Sequence, residues 1–353
     1  MSSTSPIDPA DDFDPDFTCS MEACFNAFDK NCDGKLDIDE FRILCQALFR
    51  NNKGQTYETK ESHLLDMFQI FDADNDGQID KEEFTYCWNN WIKTIVRPIS
   101  ALLVIDVQND FICGTLDIRN CPAKQNGEDI IQPINGLLER IEFDAVFYSL
   151  DWHPSDHISF LDNIGLRKLH ASSPLATDEA QLYDTVVFEG EPPMTQRLWP
   201  RHCVQNTWGS ELYKDLKVVE SAVKIYKGTN PEVDSYSAFW DNSKLTDTKL
   251  EAQLKMRNIT DVYVCGVAYD VCVGATAVDA ISSGFRTILL DDCCRGVDLH
   301  DIEQTKSAVI KNHGVVMDSS RVRNMVEGND RRPELGYKLA LNLRERQQHP
   351  EAS

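Results

Sequence analysis

Three residues far apart in the chain, Asp106, Lys227 and Cys272, are of the types that together make a nucleophile. A cysteine thiol has a pKa of about 8.5, so attack on an unreactive amide at neutral pH needs a base to take its proton and a cation to steady the pair. Asp106 ends the apolar run 101–105, Lys227 follows the run 222–226, and Cys272 lies where the run 262–268 gives way to a helical stretch beginning near Val273. A sulfur at a helix N-terminus meets partial positive charge, which favours thiolate. Asp151 and His153, two apart at the end of the run 145–150, can turn one oxygen and one nitrogen toward a single ion. Each residue alone also fits a plainer role: Cys272 as a small packed side chain, Asp106 as a helix cap, Lys227 as a solvated surface lysine.

A second chemistry is written in two twelve-residue stretches, DKNCDGKLDIDE at 29–40 and DADNDGQIDKEE at 72–83. Calcium takes about six to eight oxygen ligands, and the EF-hand loop supplies them from positions 1, 3, 5, 7, 9 and 12 around a glycine at 6. In the first loop these are Asp29, Asn31, Asp33, the Lys35 carbonyl, Asp37 and Glu40 around Gly34. In the second they are Asp72, Asp74, Asp76, the Gln78 carbonyl, Asp80 and Glu83 around Gly77. Apolar residues at helical spacing flank both loops, and Leu36 and Ile79 at position 8 can pair as a short strand. Two calcium ions are therefore expected; the bland alternative is an acidic helix-turn-helix pair without metal.

The elements that must position these residues divide at Arg97-Pro98. Through Arg97 the chain carries 20 acidic and 9 basic residues, a balance of −11 within a total of −23 over 353 residues. So acidic a chain repels phosphate backbones and anionic lipid surfaces, and no run approaches the ~20 apolar residues of a membrane span, so neither nucleic acid nor membrane is an expected partner. Residues 1–18 read as a disordered lead and 19–98 as an all-α EF-hand pair. After residue 98, short apolar strands near 101–107, 145–150, 222–226, 262–267, 287–290 and 315–317 alternate with helices near 130–141, 273–282 and 301–312. This predicts a layered α/β/α domain over 99–327 with a mainly parallel sheet, whose sites gather at the carboxyl ends of the strands. No phosphate-binding glycine loop is present. Residues 328–353 read as a charged tail with room for one helical turn at 339–343. Twelve dispersed cysteines and a start without a basic or apolar leader point to the cytoplasm, with the nucleus as a second location.

The local sequences ALLVIDVQNDF (101–111), DWHPSDHISF (151–160), WPRHCVQNTWG (199–209), Lys227-Gly228 followed by SYSAF (235–239), and VCGVAYDVCVGATA (264–277) resemble the isochorismatase-like cysteine hydrolases, and within them the nicotinamidase/pyrazinamidases. With the EF-hand pair in front, the whole resembles the EF-hand-fused nicotinamidases of some animals. The resemblance implies Asp106 as general base, Lys227 as assisting cation and Cys272 as nucleophile. It also implies a cis peptide at Val267-Ala268 and an oxyanion hole from the Ala268 and Cys272 backbone N–H groups. A divalent transition metal, Zn²⁺, Fe²⁺ or Mn²⁺, is implied on Asp151, His153 and His202, with His157 as an extra ligand, a support for one, or an ordinary loop histidine. The implied substrate is nicotinamide, and pyrazinamide as well, in NAD salvage; Phe111, Trp199, Tyr236 and Tyr269 are the candidates for an aromatic slot. The alternatives are another amide or carbamoyl hydrolase of the superfamily and a calcium-binding protein with an inert hydrolase fold. An insertion at 166–197, long for this family, is expected to act as a lid or a contact for the EF-hand unit. The short Arg97-Pro98 junction makes calcium regulation a further expectation, and oligomeric state is not readable.

Overall fold

The structure, a computed structural model, describes residues 20–348. The expected lead at 1–18 lies outside them, as do residues 349–353. The described residues form two compact units: one takes 20–99, 313–315 and 320–348, the other takes Ser100–Asn312 and Val316–Ser319.

In the first unit, helices α1 (Met21–Phe28) and α2 (Ile38–Leu48) flank one loop, and α3 (Glu61–Phe71) and α4 (Lys81–Cys87) flank the other. The spacing that suits calcium also starts the exit helices. Loop position 9 is an N-cap and position 12 is three residues into the helix, so Asp37 with Glu40, and Asp80 with Glu83, each form a capping box. Leu36 and Ile79 exchange both backbone hydrogen bonds at 2.8 Å, tying the loops back to back. Beyond α4 the helix widens into a π-helical turn at Trp88–Ile92 and ends at Lys93–Val96.

Where the sequence left room for a single turn, the structure has a helix of 16 residues, Pro333–Gln348. It belongs to this first unit: Tyr337, Ala340 and Leu343 are buried in the same apolar cluster as the EF-hand helices. Arg344, Glu345 and Arg346 are exposed. Such alternation of small apolar and charged residues hides a helix whose buried face is defined only by its partner.

The second unit is built on a six-stranded sheet in the order β5-β2-β1-β6-β7-β8, with β1 (Ser100–Ile105), β2 (Ala145–Asp151), β5 (Val223–Lys227), β6 (Asp261–Val267), β7 (Arg286–Arg295) and β8 (Val315–Met317). The pairings β5/β2, β2/β1, β1/β6 and β6/β7 are parallel. β1 and β6 are buried along their whole length, as continuous apolar runs require. Strand β1 stops two residues earlier than the sequence suggests, because Asp106 takes φ +50° and turns the chain off the sheet. The insertion holds a separate hairpin, β3 (Thr185–Phe188) with β4 (Met194–Arg197), over its own small core of Ile158, Ile164, Val186, Phe188 and Leu198.

Candidate active site and metal centres

Four adjacent strands deliver the chemistry to one end of the sheet. Asp106 follows β1, Asp151 ends β2, Lys227 ends β5 and Cys272 follows β6. Lys227 is the hub. Its side chain is fully buried, and Nζ stands 2.9 Å from Asp106 Oδ2, 2.5 Å from Asp151 Oδ1, 2.8 Å from the Ser235 carbonyl and 3.4 Å from Cys272 Sγ. Asp106 Oδ1 accepts a 2.6 Å hydrogen bond from Ser149 Oγ. Asp106 Oδ2 is buried and has no hydrogen bond beyond its approach to Lys227. An acceptor atom of Asp106 and one of Asp151 both lie within 4.8 Å of the Cys272 sulfur.

Burial pushes the Asp106 carboxyl above the usual range, against the pull of Lys227 and with Asp151 adding to the rise. At Asp151 burial also works upward, but Lys227 and His153 hold it well below the usual range. Burial opposes the Lys227 charge, and Asp106 and Asp151 outweigh it, so the ammonium is held well above its ordinary value. The Cys272 thiol is pushed well up by burial, and Lys227 pulls it only partly back. That corrects the expectation of a thiolate favoured by a helix start. Cys272 does sit in the π-helical turn Tyr269–Val273 that opens helix Gly274–Ser282, but desolvation and two facing carboxylates outweigh the helix dipole. Burial thus favours the neutral thiol over the thiolate at Cys272.

Beside this group, Asp151, His153 and His202 bring buried donor atoms within 4.8 Å of one another. His153 Nδ1 lies 2.9 Å from the Gly228 carbonyl and His202 Nδ1 2.7 Å from the Pro200 carbonyl. A carbonyl can only accept, so both Nδ1 atoms carry the hydrogen and both Nε2 lone pairs are free, 3.5 and 3.7 Å from Asp151 Oδ2. This oriented set of one oxygen and two nitrogens suits a divalent transition metal. Gly228 has φ +62°, and a Cβ there would lie 2.3 Å from His153 Cε1, so only glycine lets its carbonyl hold the ring. His157 stacks on His153 at 4.0 Å and is bonded to Ser159 Oγ, but its donor groups with His153 and Asp234 rather than with Asp151 and His202.

A cavity opens beside Cys272, Asp151 and His202, walled by Phe111, Trp199 and Tyr236 and also by Leu116, Ile118 and Val271. Tyr269 is not in that wall, a correction to the sequence reading. Its hydroxyl donates to Asp291 Oδ1 at 2.7 Å and the Lys306 ammonium lies over its ring, so it faces β7. The insertion supports the wall: Arg197 lies 4.9 Å over the Trp199 ring, and Gln196 Nε2 donates to Asp234 Oδ2 at 2.9 Å. Asp234 also lines the cavity and the sequence reading missed it, although it directly precedes SYSAF. Ser149 was missed too; it shares a face of β2 with Asp151 two residues on, a signal that period-two counting carries. The Val267–Ala268 peptide is cis.

The EF-hand loops are arranged for a cation. Glu40 Oε1 accepts from the Lys30 and Asn31 amides, Asp29 accepts from the Asp33 and Gly34 amides, and the second loop repeats the pattern with Glu83 and Asp72. Gly34 and Gly77 take φ +84° and +86° at the sharp turn, and Asp72, Asp74 and Asp76 converge within 4.8 Å. These donors fit Ca²⁺.

The isochorismatase domain family matches residues 100–321, more than half of the chain. The chain belongs to the isochorismatase family. An EF-hand domain pair matches residues 18–87 ahead of the isochorismatase unit. That unit is similar to a nicotinamidase of Escherichia coli, 35% identical over 204 residues that cover 57% of this chain and 85% of that protein. Among solved structures it is similar to the yeast nicotinamidase bound to the inhibitor nicotinaldehyde, with a TM-score of 0.53 and 30% identity over 62% of this chain and 99% of that one. The EF-hand part is similar to a probable calcium-binding protein of Arabidopsis thaliana, CML34, 36% identical over 76 residues that cover 22% of this chain and 53% of that protein.

Proposed function

We propose that the chain is a nicotinamidase that hydrolyses nicotinamide to nicotinate and ammonia through a Cys272 thioester. The observation that carries this is the buried Lys227 ammonium bridging Asp106, Asp151 and Cys272, the last two of which line an aromatic cavity. The similarity to nicotinamidases over the whole isochorismatase unit supports the substrate.

Asp106 takes the thiol proton as Sγ attacks the carboxamide carbon, and the C=O pair moves onto oxygen. The Ala268 and Cys272 N–H groups receive that oxyanion. As the tetrahedral adduct collapses, the C–N bond breaks and Asp106 returns its proton to the departing ammonia. Asp106 then deprotonates a water that attacks the thioester, which releases nicotinate and restores the thiol. A carboxyl raised by burial is the stronger base toward the thiol, and Lys227 offsets the repulsion between the two carboxylates beside it. Phe111, Trp199 and Tyr236 hold the flat ring. A metal on Asp151, His153 and His202, of Zn²⁺, Fe²⁺ or Mn²⁺ type, supplies Lewis acidity when bound.

Cys272→Ala should reduce ammonia release from nicotinamide at least about a thousandfold, and wild-type turnover in that variant would sink the proposal. Calcium regulation rests only on the short covalent junction. Equal kinetic constants with calcium and with a calcium-selective chelator would leave the EF-hand pair a structural or docking role.

A further inference from the structure

The apolar interior of the EF-hand unit is not closed by its own four helices. Helix Pro333–Gln348 lies in it with Tyr337, Ala340 and Leu343 buried, and with Gly336, Ala340 and Leu343 at the i, i+4, i+7 spacing of a helix seated in a groove. Polar contacts fix its register. The buried Trp91 indole Nε1 donates to the Gly336 carbonyl at 2.8 Å. Tyr337 stacks on His63 with ring centroids 3.9 Å apart, and its hydroxyl donates to Asp66 Oδ2 at 2.6 Å. Ahead of the helix, Arg331 Nε donates to the Leu48 carbonyl at the end of α2, and Tyr57 donates to Asp330. A Cβ on Gly336 would stand 2.4 Å from two ring atoms of Phe49, so the approach depends on glycine.

The groove walls are the far ends of the two helices that leave the calcium loops. Phe49 and Leu48 end α2, which begins beside Glu40; Trp91 and Ile95 continue α4, which begins beside Glu83. These glutamates are the bidentate ligands at loop position 12, so an ion that fixes them fixes where α2 and α4 point. We propose that Pro333–Gln348 is an intramolecular target helix, captured by the EF-hand pair in a calcium-coupled way and filling the groove that an external amphipathic helix would otherwise occupy. Coupling of this kind is reciprocal: calcium tightens the helix, and the helix raises calcium affinity by the same factor.

The test uses the full chain and calcium alone as ligand. Calcium affinity is measured by calorimetry, and amide hydrogen exchange across 336–347 is followed with calcium and with a chelator. Gly336→Ala improves intrinsic helix propensity but blocks the Phe49 approach, so it separates helix formation from docking. It should weaken calcium binding by roughly 5- to 150-fold, the usual span of coupling between sites, while Arg346→Ala on the exposed face leaves affinity unchanged. In the unsubstituted chain, removing calcium should lower protection of 336–347 by a similar factor. That second measurement stands if Gly336→Ala fails to fold. Unchanged calcium affinity in a folded Gly336→Ala chain, or protection of 336–347 indifferent to calcium, would overturn the proposal.

Discussion

Four carboxylate oxygens of Asp106 and Asp151 share one buried neighbourhood, and a single ammonium makes that tolerable. Removing it leaves two facing buried charges, so Lys227→Met should cost about 3–5 kcal/mol in urea denaturation as well as turnover. A variant as stable as its parent would mean the ammonium is not engaged as described. Ser149 acts on the base more gently. Its hydrogen bond favours the charged form of Asp106, so Ser149→Ala should raise that carboxyl further and move the acid limb of kcat/KM to higher pH. An unmoved limb would remove Asp106 from the role of base. The candidate trio was legible in the sequence because Asp106, Lys227 and Cys272 each follow an apolar run and sit in motifs that resemble the family. Ser149 and Asp234 were not, since a serine inside a strand and an aspartate before a loop motif are ordinary until the fold brings them to the cavity.

Among the elements, the central strands were readable because continuous apolar runs admit few other fates, whereas helix Pro333–Gln348 and the β3–β4 hairpin take their meaning from what they pack on. The hairpin fixes Asp234 through Gln196, so Gln196→Ala should raise KM for nicotinamide several-fold with little change in kcat; a fall in kcat alone would contradict a wall-supporting role. The helix should carry a pH dependence. His63 and His313 pack on Tyr337, and both are lowered from 6.5 by burial. Lys60 lowers both further, Asp66 and Glu334 oppose the shift at His63, and His63 and Lys338 add to it at His313. A depressed folded value means that the stabilisation is present above pH ~6.5 and is lost as pH falls through the lowered values. Exchange protection of 336–347, corrected for intrinsic rates, should therefore drop between pH 7 and 5, and His63→Gln should flatten that dependence.

At the level of the whole molecule the formal charge of −23 is not a bulk property. Nine carboxylates stand at the EF-hand ligand positions, and two calcium ions bound there would bring the balance to −19. Binding to the folded loops stabilises that unit by about 2.7 kcal/mol per site at a hundredfold excess over Kd, so calcium should raise one calorimetric transition and leave that of the sheet unit in place. Equal movement of both would show a single cooperative block instead. The EF-hand unit is also discontinuous in sequence, with the sheet unit encoded inside it. On a ribosome this becomes a matter of time. The partner of the Trp91 indole is Gly336, 245 positions later, and synthesis at about 5–20 residues per second separates them by roughly 12–50 s. For that interval the nascent groove has nothing of its own to close it, so calcium reaching the loops early would open an apolar surface on an unfinished chain. The moment of greatest aggregation risk is thus set by translation speed and ion supply together.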